Sequence, residues 1–212
     1  IGGDLIVDNC VFIDNEAFRQ SAGAFDYGGV AGAIYAFLGQ IDVRHSSFYE
    51  NFSPTFGGIY ATTSAVVDNT ILWGNRSTEV GAPLRDANLA GTFDVTYSCV
   101  EGLLTPVPGE DPPNPGAYPT VTVTDPLWVN PDGPDGIAGT LDDNLRLSGL
   151  SPCVDTGDPL ESGIAKLDFD AKPRVLCGRI DMGAYEASAA EYACAYVPGP
   201  TDFANWTYCM YG

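Results

Sequence analysis

The first group of residues that could do chemistry is a run rich in Asp, Asn and Gly in the second half of the chain. Its oxygen-bearing members are Asn130, Asp132, Asp135, Asp142, Asp143 and Asn144. Carboxylate and amide oxygens on a backbone that glycine lets turn sharply suit a hard cation such as calcium. The spacing is not that of an EF-hand, because the aspartates do not alternate and no Glu closes the loop. The run predicts either a calcium site or an ordinary network of Asp–Gly turns.

A second candidate is a pair of carboxylates at matching positions of two related segments. Asp14 directly precedes Asn15, and Glu50 directly precedes Asn51. A glycosidase needs two carboxyl groups roughly 5–10 Å apart with different protonation tendencies, and these two could meet on one face. The next related segment has Gly74 in that position, which argues against a continuing row of acids. An enzyme is therefore an alternative, and a structural or binding protein is the leading prediction.

Further acidic residues stand near the end of the repeat-like region, interleaved with Arg174 and Arg179. They are Asp168, Asp170, Asp181 and Glu186. We expect them to pair with arginine and with turn amides, since carboxylates accept such hydrogen bonds readily. Asp155 and Asp158 are likewise expected to cap turns.

Aromatic residues in the first hundred positions offer a different kind of site. Tyr35, Tyr49, Tyr60 and Trp73 could stack on sugar rings if they are exposed, or could pack within the protein if they are not. The sequence leaves both alternatives open.

The chain has six cysteines, an even number, and no pair has CxxC spacing. This pattern predicts disulfides in an oxidising compartment rather than a zinc site. The predicted bridges, each closing a loop-rich segment, are Cys153–Cys177 and Cys194–Cys209. Cys10 and Cys99 belong to repeats three steps of about 4.8 Å apart, farther than a disulfide reaches, so they are predicted to be buried thiols.

The charge balance narrows the class of partner. Nine basic against 28 acidic residues give a formal net charge of −19, which repels nucleic acid and anionic membrane surfaces. The apolar runs are far shorter than the roughly 20 residues that span a bilayer, so no membrane span is predicted. The bias towards Gly and Pro, 25 and 16 residues, favours an all-β chain with many tight turns.

The elements that would position these residues come from an internal repeat. Related segments are LIVDNCVFIDN (5–15), IDVRHSSFYEN (41–51), VVDNTILWGN (66–75) and FDVTYSCVEG (93–102). Short apolar runs separated by Gly or Asn turns, with periods of 24 to 36 residues, predict stacked turns of parallel strands. In such a stack three rows of equivalent residues should run along the axis. The predicted rows are Val7–Val43–Val67, Phe12–Phe48–Leu72 and a hydrogen-bonded row Asn15–Asn51–Asn75.

Two sets of motifs resemble known proteins. The GAIY, FYEN and GGIY pieces (32–35, 48–51, 57–60) resemble the GGAI and FxxN repeats of polymorphic outer-membrane proteins. SPCVDTGD (151–158), DFDAKPR (168–174) and DMGAYE (181–186) resemble the C-terminal module of secreted bacterial β-helix proteins of the choice-of-anchor type. The chain departs from the latter at Ala171, where that group usually has Gly, so the turn there could differ. The resemblance implies a fold and export, and no particular activity.

The predicted fold is an all-β, right-handed parallel β-helix (solenoid) with a loop-rich C-terminal region. We expect β-helix coils over 1–104, a Pro-rich excursion over 105–124, final coils with Asp/Gly-rich loops over 125–186 and an aromatic, disulfide-stapled tail over 187–212. The expected function is that of a bacterial extracellular or cell-surface structural protein, with other surface proteins or further copies of itself, joined head to tail in a filament or surface layer, as partners. The alternative is a protein that binds or degrades polysaccharide.

Overall fold

A computed structural model provides the structure of the chain. It describes residues 4–18, 20–22, 25–27, 29–78, 87–106, 114–158, 160, 166–176 and 178–187. The predicted tail over 187–212 therefore lies outside the described residues from 188 onward. Among the described residues, no helix is long and apolar enough to cross a membrane.

The described elements are short strands and one 3-10 helix, Pro115–Ala117. The strands of the first hundred residues are β1 (Leu5–Asp8), β2 (Val11–Ile13), β3 (Gln20–Ala22), β4 (Phe25–Tyr27), β5 (Ile34–Ala36), β6 (Gln40–Arg44), β7 (Ser47–Tyr49), β8 (Phe52–Ser53), β9 (Ile59–Asp68), β10 (Ile71–Trp73), β11 (Arg76–Ser77), β12 (Leu89–Thr96) and β13 (Cys99–Val100). Two more follow, β14 (Trp128–Asn130) and β15 (Asn144–Leu147). The chain is all-β, as predicted.

The first sheet is parallel and has the strand order β1-β6-β9-β12, with β5 also paired to β9. Its register places Val7 opposite Val43, Val43 opposite Val67, and Val67 opposite Val95. All four side chains belong to one buried apolar cluster. The predicted valine row is confirmed, and the structure extends it by one residue.

The second sheet is also parallel, in the order β2-β7-β10-β13. Phe12, Phe48 and Leu72 are neighbours in register, and Val100 continues the row. The rings of Phe12 and Phe48 are stacked with centroids 4.6 Å apart. These side chains share the cluster that holds the valines, so the main core lies between the two sheets. We refer to the two sheets together as the stack.

The corners of the stack repeat one backbone conformation. After the first sheet, Asn9, His45, Asn69 and Tyr97 all have positive φ, from 42° to 55°. The second corner repeats this left-handed geometry at Asp14 and Glu50, although it costs a non-glycine residue about 1 kcal/mol. Hydroxyl groups support this corner: the Oγ atoms of Ser46, Thr70 and Ser98 accept hydrogen bonds from the backbone of the preceding turn.

The second corner, after the second sheet, carries the predicted asparagine row. The Asn15 side chain donates to Asn51 at 2.7 Å, and Asn51 donates to Asn75 at 2.8 Å. Asn75 in turn donates to Asn88 at 2.8 Å. The prediction is confirmed, and Asn88 is an added member that lies outside the aligned segments.

The region from 125 to 187, which we call the C-terminal module, packs beside the stack instead of adding coils to it. A single parallel bridge joins Cys99 to Thr122, after which the described pairing is antiparallel, as in β14 with β15. Gly183 donates to the Asn69 carbonyl at 2.8 Å, and the Ala184 amide donates to Ser47. The module thereby covers the outer face of the second sheet, whose inner face lines the core. Burial on both faces explains the near-continuous apolar runs of its strands.

We expect Asn51→Ala to lower the free energy of unfolding by about 3 kcal/mol. The side chain is fully buried, and its loss removes the hydrogen bonds that it accepts from the Asn15 amide and donates to the Phe12 carbonyl and to Oδ1 of Asn75. Urea unfolding followed by fluorescence measures the change. Asn15→Ala, at the exposed end of the same row, is the matched control and should cost about 1 kcal/mol. Equal effects at the two positions would contradict a row that stabilises chiefly through burial.

Candidate functional site

The candidate site is an open groove of about 310 Å³ between the second corner of the stack and the loop that follows β14. Its polar lining is Asp14, Tyr49, Glu50, Arg76 and Asp132, and its other residues are Gly136, Ile137 and Ala138. The two predicted catalytic candidates thus meet in one groove. One of the six predicted metal ligands, Asp132, joins them there.

The corner geometry explains why Asp14 and Glu50 share this groove. Ile13 is opposite Tyr49 in the parallel register, so the next residues, Asp14 and Glu50, occupy equivalent corner positions. Both have positive φ, 50° and 55°, and Gly74 continues the same row with φ of 69°. Because the whole row shares this conformation, the backbone strain belongs to the corner and carries no information about catalysis.

Two glycines make room for the carboxylates. A Cβ on residue 74 would lie 2.9 Å from Oε1 of Glu50, and one on residue 139 would lie 2.8 Å from Cβ of Asp14. Gly74 weighed against an acidic site when the sequence was considered alone. In the structure it is the residue that leaves space for the Glu50 carboxylate.

Polar contacts hold the side chains that line the groove. Arg76 forms an ion pair with Glu50, with Nη2 to Oε2 at 2.8 Å. The Tyr49 hydroxyl donates to Oδ1 of Asp132 at 2.7 Å, which links the stack to the loop after β14. Burial holds the pKa of Tyr49 well above its usual value, so the phenol keeps its proton and remains a donor.

The electrostatics of Glu50 differ from those of an exposed carboxylate. Burial raises its pKa, Arg76 opposes that rise, and the charges of Asp132, Asp14 and Glu101 add to it. Acid catalysis of glycoside cleavage uses two carboxyl groups with different protonation tendencies. The raised pKa of Glu50 beside Asp14 and Asp132 is a difference of that kind.

Most of the predicted metal ligands take part in turns. Asp135 accepts from the Ile137 amide at 3.0 Å, and Oδ2 of Asp143 accepts from the amides of Gly139 and Thr140. The oxygens of Asp142 and Asn144 accept from Thr140 and Arg146 respectively. No group of three or more His, Cys, Asp or Glu in the described part of the chain is arranged to hold a metal ion. These contacts favour the turn-network alternative, and calcium binding stays a prediction.

The aromatic candidates divide into two pairs. Tyr49 is buried with its ring edge-on to Trp128, and Trp73 packs in the apolar cluster beneath the C-terminal module. Tyr35 is about half exposed and stacks on Tyr60, with centroids 5.4 Å apart. Only the second pair offers an exposed face to a sugar.

The second acidic group is structural, as predicted. Asp168 accepts hydrogen bonds from the amides of Asp170, Lys172 and Glu186. Asp170 pairs with Arg146, with Nε to Oδ2 at 2.6 Å, a partner that the sequence did not indicate. Asp158 caps a turn through the Leu160 amide, and Asp155 occupies a left-handed corner. Ala171 adopts φ of 61°, a left-handed conformation that glycine adopts more readily than alanine.

Arg174 pairs with an acidic residue of the second group, as predicted, and makes a further contact that the sequence did not predict. It is fully buried and forms an ion pair with Glu186 at 3.1 Å. Its Nη2 also donates to Oδ1 of Asn9 at 2.6 Å, which joins the C-terminal module to the first corner of the stack. The two residues are 165 positions apart, and no local pattern signals such a contact.

The structure describes three of the six cysteines. Cys10 and Cys99 are free thiols, Cys99 fully buried and Cys10 partly so. Cys153 is also a free, buried thiol and shares an apolar cluster with Cys99. Cys177, Cys194 and Cys209 lie outside the described residues, so the Cys153–Cys177 and Cys194–Cys209 pairs stay predictions.

The chain matches no protein-family model, no curated protein and no solved structure. The resemblance of its motifs to bacterial β-helix proteins therefore stays a prediction.

Stability should fall as the pH rises from about 4 to above 6. Burial raises the pKa of Asp181 to about 6, and burial together with the Asp181 charge raises the pKa of Glu186. The folded protein thus holds protons that the unfolded chain has already released, so the gain is complete near pH 4 and is lost on deprotonation. For Asp181 we expect a loss on the order of 2 kcal/mol in urea unfolding.

Asp181→Asn should flatten this slope between pH 4 and 6, whatever its effect on stability at a single pH. Asp135→Asn, on the exposed loop, serves as the control and should leave the slope unchanged. The ion pair with Arg146 lowers the pKa of Asp170, so the effect of Asp170 on stability falls below pH 4 and does not contribute to this slope. A wild-type stability that rises over the same range would contradict the assignment.

Proposed function

We propose that the chain is a right-handed parallel β-helix protein of the bacterial cell exterior. We propose further that it binds polysaccharide in the groove lined by Asp14, Glu50 and Asp132, which we call the carboxylate groove. The meeting of Asp14, Glu50 and Asp132 in one open groove is the observation that carries the proposal. A polysaccharide-binding protein was the alternative from sequence, and the groove is the reason to prefer it.

The β-helix interpretation is supported by the strand register. Each of β6, β9 and β12 follows its predecessor in the first sheet, and β7, β10 and β13 do the same in the second. A chain that visits two parallel sheets alternately, with the same corner each time, is best described as a coil. An acidic surface and six cysteines agree with a location outside the cell.

Sugar binding is supported by the chemistry of the groove. Carboxylates accept hydrogen bonds from sugar hydroxyls, and Arg76, with its side chain 58% exposed, can donate to ring or acidic oxygens. The groove is open to solvent, so it can admit part of a larger ligand. If the site also cleaves the sugar chain, Glu50, whose pKa burial raises, would be the acid and Asp14 or Asp132 the second carboxylate.

Calorimetric titration with soluble neutral and acidic polysaccharides tests the groove, with and without calcium. Glu50→Gln and Asp14→Asn should each weaken binding at least about tenfold, because each removes a charged acceptor from the lining. Asp135→Asn, on the same loop but outside the lining, is the matched control. Release of reducing ends that is lost in Glu50→Gln would extend the proposal to hydrolysis.

Two results would redirect the proposal. Binding that survives both groove substitutions but is lost in Tyr35→Ala would place the sugar on the Tyr35–Tyr60 surface. An absence of binding to every polysaccharide class would leave the structural role as the function.

Self-assembly is the second candidate, and one observation favours it. β1 is the end strand of the first sheet, and Leu5 and Ile6 on it are 47% and 71% exposed. An end strand has backbone groups that another strand can pair with, and an apolar one invites such pairing. A second copy could extend the stack head to tail, as a surface layer or filament requires.

Light scattering across a concentration series measures this assembly. We expect wild-type protein to grow in mass with concentration and Ile6→Lys to remain at the monomer mass, because a charge on the end strand opposes pairing. Leu150→Lys replaces a comparably exposed leucine on the C-terminal module and is the control. A wild-type monomer at every concentration would contradict this candidate.

A further inference from the structure

Two cysteines from distant parts of the chain lie together in the interface between the stack and the C-terminal module. Cys99 begins β13, and Cys153 belongs to the SPCVDTGD segment of the module. Both are fully buried and share one apolar cluster with Ile71, Leu147 and Met182. Sγ of Cys99 donates to the Thr124 carbonyl at 3.3 Å. Within the shared cluster, the Cys153 side chain is the neighbour with the largest effect on the Cys99 thiol, whose pKa it raises.

Backbone hydrogen bonds hold both residues in place. The Cys99 amide donates to the Thr70 carbonyl at 2.9 Å, as part of the second sheet. The Cys153 carbonyl accepts from the Met182 amide at 2.9 Å, and its own amide donates to Oγ of Ser151 at 3.1 Å. Both backbones are therefore fixed on the two sides of the same buried cluster.

We propose that Cys99 and Cys153 form a disulfide that ties the C-terminal module to the stack. Such a bond would join the two parts of the protein that together build the carboxylate groove, since Asp132 comes from the module and Asp14 from the stack. The inference rests on the proposed location outside the cell and is independent of sugar binding, so either proposal can fail alone.

The chemistry is a thiol–disulfide exchange. The two thiols lose two protons and two electrons as the sulfur–sulfur bond forms, and an incoming disulfide such as oxidised glutathione is reduced to two thiols. The Cys153 side chain and burial raise the pKa of the Cys99 thiol, so the reactive thiolate is scarce once the protein has folded. The bond should therefore form during folding and resist reductants afterwards.

Refolding in a glutathione redox buffer, followed by non-reducing peptide mapping, tests the proposal. We expect a peptide that links Cys99 to Cys153. The oxidised protein should melt about 10 °C above protein refolded under full reduction, since the bond closes a long loop.

The readout in the variants is the difference in Tm between oxidised and reduced protein, which remains defined even if a variant is less stable. Cys99→Ser and Cys153→Ser should each abolish that difference. Cys10→Ser should retain it, because the Cys10 thiol points to the Asp8 carbonyl in the first turn of the stack. A peptide linking Cys153 to Cys177, or free Cys99 and Cys153 in the oxidised protein, would overturn the inference.

Discussion

Stacking of parallel strands at every turn imposes one requirement on which the rest of this structure depends. The backbone groups at the inner corners must find partners along the stack, because residues such as Asn51, Asn69 and Asn75 are fully buried. Asn51 and Asn75 meet that requirement at the second corner, and Ser46 and Thr70 meet it at the first. With the corners satisfied by side chains, the inward positions are left to apolar residues, and the core between the sheets can be continuous.

The C-terminal module depends on the same stack. It buries the outer face of the second sheet through Ile71 and Cys99 and reaches the first corner through Arg174. A buried arginine is costly unless its hydrogen bonds are met, and here Glu186 and Asn9 supply partners from both sides of the interface. The module therefore docks in one orientation, which is the condition for a defined groove between it and the stack.

The groove combines a regular and an irregular element. Asp14 and Glu50 stand at equivalent positions because the corner repeats, whereas Asp132 arrives on a loop whose turns are held by its own aspartates and glycines. The glycines at 74 and 139 keep the space open. A site of this kind can change its specificity through the loop while the stack stays the same.

The sequence by itself determined the rows of the stack. The recurrence of Val, Phe and Asn at matching positions of the related segments predicted Val7 opposite Val43 and Asn15 bonded to Asn51, because equivalent residues of a repeat become neighbours. Only the tertiary structure decided that Asp132 joins Glu50, that Arg174 reaches Asn9 and that Cys153 lies against Cys99. Those contacts connect an irregular module to a repeating stack, and a contact without a period leaves no pattern in the chain from which it could be predicted.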